Sequence, residues 1–178
     1  MPAELVLGGA RSGKSAYAER QARESGLAVT VIVTARSLDA EMSARIAHHR
    51  ALRPAHWRTV EAPFDLAAAL RAEAQADRCL IVDCLTLWAT NHLCPPEFPP
   101  TQPTDWAAAR DDLLNAVPRL TGQIVFVSNE IGWGVVPLGE ATRRFVDEAG
   151  RLNQALAQRC DRVTLVAAGL PLRLKDRP

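Results

Sequence analysis

The chain has 178 residues, 48% of them hydrophobic and 23% charged, with a formal net charge of +1. That length fits one domain with a substantial core, so residues 1–178 are read as a single unit. The near-neutral balance and an aromatic content of 5% argue against a nucleic-acid surface, and no apolar run approaches the length of a membrane span.

In chain order, Glu4-Leu5-Val6-Leu7 reads as a short strand and Ala16 to Glu24 as a helix. Between them lies Gly8-Gly9-Ala10-Arg11-Ser12-Gly13-Lys14-Ser15, which fits the pattern Gly-x4-Gly-Lys-Ser without a gap. In such a turn, backbone N–H groups and the positive end of the helix dipole face a polyphosphate. Lys14 is then expected at the β and γ phosphates, and the Ser15 hydroxyl at Mg²⁺. The plainer alternative is a turn that only caps a helix. The N-terminus enters its strand without the basic and apolar regions of a secretory signal, so a cytoplasmic location is expected. Cys79, Cys84, Cys94 and Cys160 form no Cys-x2-Cys pair and read as reduced thiols, with no zinc site.

Val29 to Val33 is a β-branched run expected to be a buried strand, and Leu38 to Arg50 a helix with Asp39 at its N-cap. Trp57 to Val60 reads as a short strand. Pro63 suits a first helical position, with an alanine-rich helix from Phe64 to Ala76. Cys79 to Asp83 reads as a buried strand and Leu85 to Leu93 as a helix. Residues 94–103 hold five prolines and are expected to form a surface loop. Helix over Asp105–Val117, strand over Gln123–Ser128, helix over Gly139–Arg159 and a last strand over Arg162–Ala168 complete the pattern. Strands alternating with helices predict an α/β, P-loop NTPase-type three-layer sandwich with a mainly parallel sheet and helices on both faces. Ligands on such sheets sit beyond the carboxyl ends of the strands, here at Gly8–Ser15, Thr34–Ser37, Asp83–Thr86 and Ser128–Gly134.

Asp83 ends its apolar strand where P-loop proteins place an acid that orients Mg²⁺ opposite the Ser15 hydroxyl; helix capping is the alternative. His48 and His49 point about 100° apart on a helix, so at most one serves a site directly. His49 continues the stripe Met42, Ile46, His49, which makes it either an imidazole at the core edge or a nucleophile or base beside Arg50 and Arg53. The loop Asn129 to Pro137, with two glycines and Trp133, reads as a substrate contact. Arg143, Arg144, Asp147, Arg151 and Asn153 read mostly as a solvated, salt-bridged helix face.

Residues 8–15, Arg-Ile-Ala-His-His-Arg (45–50), Arg-Pro-Ala-His-Trp-Arg-Thr-Val-Glu (53–61), Asp-Cys-Leu-Thr-Leu-Trp (83–88), Ser-Asn-Glu-Ile-Gly-Trp-Gly-Val-Val-Pro (128–137) and Asp-Glu-Ala-Gly-Arg-Leu-Asn-Gln (147–154) occur in that order. Together they resemble the bifunctional adenosylcobinamide kinase / adenosylcobinamide-phosphate guanylyltransferase family of cobalamin biosynthesis, from the first strand to Lys175. The resemblance implies two reactions. A nucleoside triphosphate, ATP or GTP, phosphorylates adenosylcobinamide. GTP then guanylylates an enzyme histidine, and the GMP passes to adenosylcobinamide phosphate. The guanylylated residue aligns with His49, with His48 the neighbouring alternative. The resemblance also implies nucleotide contacts at Thr34, Ala35, Arg36, Arg50, Ala51, Leu52, Arg53, Glu61 and Asp83, beside the P-loop, and a homo-oligomer, specifically a trimer. Guanylyltransfer alone, a simpler P-loop small-molecule kinase and a regulatory nucleotide switch are the competing readings. The second leaves His48-His49 without a task, and the third lacks the Asn-Lys-x-Asp guanine signature.

Overall fold

The computed structural model describes residues 3–37, 40, 43–44, 46–47, 51, 53–94 and 105–176. Its elements are strand β1 (Ala3–Gly8), helix α1 (Lys14–Glu24), β2 (Ala28–Val33), β3 (Arg58–Glu61), α2 (Leu66–Glu73), β4 (Arg78–Asp83), α3 (Leu85–Leu93), α4 (Trp106–Ala116), β5 (Gln123–Asn129), α5 (Glu140–Arg159), β6 (Arg162–Ala167) and β7 (Leu170–Asp176). The strands form one sheet in the order β3-β2-β4-β5-β1-β6-β7. Every pair is parallel except β6 with β7. The α/β, P-loop NTPase-type architecture read from the sequence is therefore present.

Successive strand residues feed opposite faces. Val6, Val31, Ile81 and Val127 pack on one side against Tyr17, Ala18 and Ala22 of α1. Leu5, Ile32, Leu80, Val82 and Phe126 pack on the other against Leu66 and Leu70 of α2, Trp88 of α3, Leu113 of α4, and Leu152 and Leu156 of α5. Both faces are covered, which is why these strands read as continuous apolar runs. Among the described residues of these two clusters, α1 lies on one face and α2 to α5 on the other.

Three expectations are corrected. The helix expected over Phe64–Ala76 spans only Leu66–Glu73, with Asp65 at its N-cap and Pro63 outside it. Pro63 belongs instead to the chain leaving β3, where its carbonyl accepts from the Asn91 side chain at 2.9 Å. The strand expected over Trp57–Val60 lies one residue later, because Trp57 is buried beneath the sheet edge rather than paired in it. The strand over Arg162–Ala167 is not the last one. A tight turn at Ala168 and Gly169, both with positive φ, returns the chain as β7. The signal for β7 was the alternation Leu170, Leu172, Leu174. Pro171 obscured it, yet an edge strand accommodates a proline. The helix expected over Leu38–Arg50 falls partly outside the described residues; positions 40, 43–44, 46–47 and 51 are helical. Residues 95–104 also lie outside them.

Candidate active site

The carboxyl ends of β1, β2, β4 and β5 lie along one edge of the parallel sheet and deliver the four loops singled out above. Gly8 ends β1, and a Cβ there would stand 2.5 Å from the Val166 carbonyl oxygen and against the Ser12 hydroxyl, so the chain passes only as glycine. Gly13 has φ +95° at the N-cap of α1 and packs on Gly169, a conformation that glycine adopts without strain. The Ser12 N–H donates to the Gly9 carbonyl at 3.2 Å, and the Gly169 N–H donates to the Ser12 carbonyl at 2.8 Å. The β6–β7 turn thus braces the loop from behind.

Lys14 opens α1 and is only 9% exposed. Its ammonium donates to the Gly9 carbonyl at 3.1 Å, curling over the loop. Burial pushes the Lys14 pKa below its ordinary value, while Cys84 and Asp83 act in the opposite direction. A desolvated ammonium beside free backbone donors suits a polyanion that would repay the lost hydration. Two further polar atoms, Ser12 Oγ in the loop and Asn129 Oδ1 at the end of β5, are buried without a hydrogen-bond partner.

Ser15, Glu19, Arg53, Asp83 and the apolar side chains of Val31, Ile81 and Val127 cluster beside the loop around a closed crevice too small for a water molecule. Arg53 donates to Asp83 Oδ2 at 2.8 Å and stands 3.6 Å from Glu19 Oε1. Its side chain is 7% exposed, so this is a largely desolvated ion-pair cluster. The structure thereby joins two residues expected at the site, Arg53 and Asp83, and adds Glu19, which sequence reading missed. Glu19 lies one helical turn beyond Ser15 on α1, and that i, i+4 spacing was the available signal.

Across β4, Thr34 is buried and its hydroxyl is fully engaged. It donates to the Cys84 carbonyl at 2.6 Å and accepts from the Cys84 N–H at 3.0 Å. Asn91 donates to the Thr34 carbonyl at 2.8 Å. The Thr34 side chain therefore shapes the site by joining the β2 and β4 loops, and the neighbouring Ala35 and Arg36 follow from it. The Arg36 guanidinium lies over the Phe64 ring at 5.3 Å. Glu61 is exposed at the end of β3, four strands from β1 and so about 19 Å along the sheet. The P-loop and Glu61 are not brought together. Ala51 is an exposed helical residue, whereas His48, His49, Arg50 and Leu52 lie outside the described residues.

Asn153 departs from the solvated helix face expected of it. It is 6% exposed, while Arg151 on that face pairs with Glu148 at 2.5 Å.

The arrangement can hold a nucleoside polyphosphate with its phosphates on Gly8–Ser15 and an acid, a hydroxyl and a guanidinium beside them. The chain is also similar to known proteins. The bifunctional adenosylcobalamin biosynthesis protein CobP of Pseudomonas aeruginosa is 59% identical over 175 residues, 98% of either chain. The bifunctional adenosylcobalamin biosynthesis protein CobU of Salmonella typhimurium is 42% identical, over 96% of this chain and 98% of the relative. Among solved structures, the RadB recombinase superposes with a TM-score of 0.50 at 14% identity, over 92% of this chain and 73% of that one, a likeness of fold alone. The sequence model described as cobinamide kinase / cobinamide phosphate guanyltransferase matches residues 4–174, which span β1 with its phosphate loop through to β7. With near full-length relatives and a family model that matches residues 4–174, the chain belongs to the cobinamide kinase / cobinamide phosphate guanyltransferase family.

Proposed function

We infer that the protein is a bifunctional enzyme carrying out both reactions of its family. In the first, the hydroxyl oxygen of adenosylcobinamide bonds to the γ-phosphorus of a nucleoside triphosphate, the bond to the β-phosphate oxygen breaks, and the hydroxyl proton is released. In the second, GTP loses pyrophosphate and its GMP reaches the cobinamide phosphate, giving adenosylcobinamide-GDP.

The observation that carries this reading is the phosphate loop with Lys14 folded over it, beside the cluster of Ser15, Arg53 and Asp83. The loop amides and Lys14 hold the phosphates and offset the charge that develops on the leaving oxygen. Ser15 and Asp83 stand in one cluster beside the loop and contribute a hydroxyl and a carboxylate, oxygen donors of the kind a hard divalent ion takes together with phosphate and water. These two residues would hold Mg²⁺, which would neutralise phosphate charge when bound.

The guanylyl carrier in this reading is His49. A neutral imidazole nitrogen attacks the α-phosphorus of GTP and pyrophosphate departs; the cobinamide phosphate oxygen then displaces the imidazole. Nucleotide contacts at Gly8 to Ser15, Thr34 to Arg36, Arg50 to Arg53, Glu61 and Asp83 belong to the same proposal. The free thiols of Cys79, Cys84, Cys94 and Cys160 support a reducing, cytoplasmic setting. No helix among the described residues is long and apolar enough to cross a membrane.

Incubation with Mg²⁺ and GTP labelled on the α-phosphorus tests this. The denatured protein should carry an acid-labile, base-stable label that His49→Ala abolishes and His48→Ala retains. The reverse result moves the nucleophile to His48. Absence of label on the wild-type protein, with γ-label transferred to cobinamide, would leave a kinase alone.

A further inference from the structure

A groove of about 490 Å³ lies on the α5 side of the sheet and shares no residue with the cluster of Ser15, Arg53 and Asp83. Its walls include Leu7, Glu130, Trp133, Asn153, Gln154 and Leu174. It adjoins the phosphate loop directly: the Glu130 N–H donates to the Gly8 carbonyl at 3.0 Å, and Leu7 immediately precedes Gly8.

The groove has a definite chemistry. Leu7 and Leu174 make it apolar, and the Trp133 indole stands 77% exposed at its margin. Asn153, on α5, is only 6% exposed, yet its Oδ1 has no hydrogen-bond partner. A buried carbonyl oxygen in a groove wall is an acceptor waiting for a donor. Glu130 contributes a carboxylate whose Oε1 accepts from the Gly132 N–H at 2.9 Å. Lys175 also borders the groove, but its ammonium is turned onto the carbonyls of Ala157, Gln158 and Cys160 at 2.5 to 3.3 Å. An anionic ligand therefore finds a carboxylate and no cation facing it among these described residues. The groove suits a bulky ligand with an apolar face, N–H donors at its edge and no net negative charge.

We propose that this groove binds the corrin ring of the cobinamide acceptor, an assignment that rests on the functional reading above. Alkylated cobinamide carries a net positive charge on a large macrocycle edged with primary carboxamides. Trp133 packs on the macrocycle, the Asn153 Oδ1 accepts from a peripheral carboxamide N–H, and the Glu130 carboxylate faces the positive ring. Because Glu130 is bonded to Gly8, the aminopropanol arm of a ring seated here starts beside the phosphate loop.

The test uses the full-length protein, cobinamide as probe and two variants. Asn153→Leu is nearly isosteric and deletes an unsatisfied acceptor, so its thermal midpoint should equal or exceed the parent value. Trp133→Ala changes an exposed side chain, so the fold should survive. Each should raise the Kd and KM for cobinamide about tenfold, the effect of losing one good contact. The KM for GTP and the α-label taken up by the protein without acceptor should stay at parent values. If both variants label normally and bind cobinamide like the parent, the groove assignment is overturned while the functional reading stands. If the parent itself neither labels nor phosphorylates cobinamide, the functional reading falls and this assignment with it.

Discussion

At the scale of single residues, the site trades stability for charge. Lys14 is held in a largely desolvated place and its pKa is lowered chiefly by burial. Lys14→Met keeps the length of the stem and removes the buried ammonium. It should raise the thermal midpoint of the nucleotide-free protein by a few degrees, on the order of 1 kcal/mol, and abolish the further rise that GTP gives the parent. A variant that loses midpoint and still responds to GTP would contradict this account. His92 offers a second test. Its ring packs among Phe64, Trp88 and Trp106, and burial is the main cause of its lowered pKa. With the folded pKa below the unfolded 6.5, the unfolded chain binds the extra proton. Stability is therefore unaffected above that pH and declines as pH falls through 6.5 towards the folded value. His92→Phe should flatten that part of the profile, read as urea midpoints between about pH 5 and 7. An unchanged slope would rule His92 out as its source.

At the scale of elements, the hairpin β6–β7 holds the P-loop helix in place. Glu4 of β1 is buried, and its Oε1 accepts from Tyr17 of α1 at 2.9 Å, Thr164 of β6 at 2.6 Å and Arg173 of β7 at 3.1 Å. Burial raises the Tyr17 pKa, so the phenol remains a donor. Arg173→Leu should cost about 1–3 kcal/mol in urea unfolding, since it strands a buried carboxylate, although the partial exposure of Arg173 reduces the effect. Combining it with Glu4→Gln should recover most of that loss; additive losses would show that the two residues act separately. Most elements were legible in the sequence because each is set by local pattern. Leu85–Leu93 matches in full, and β1, β2, β4 and β5 match within two residues. Helix α2 was overextended because alanine favours helix at positions where tertiary contacts required a turn.

For the whole molecule, β7 leaves Leu170 and Leu172 exposed among the described residues. We propose that this edge takes part in the self-association, as a trimer, that the resemblance implies. Sedimentation should give a mass near three times that of the chain, and Leu172→Glu should shift it towards monomer; a monomeric parent would refute the expectation. The site was only half legible from sequence. The turn at Gly8 to Ser15 and the strand end at Asp83 were legible because an eight-residue pattern and an apolar run carry their geometry locally. The pairing of Arg53 with Asp83 and Glu19, the inward turn of Asn153 and the antiparallel return of β7 were not. The sequence alone determined the alternating strands and helices, the phosphate loop and the family likeness, since hydrophobic period and turn chemistry act over a few residues. Which distant side chains meet was decided by the strand order β3-β2-β4-β5-β1-β6-β7, a choice made by packing the whole sheet at once.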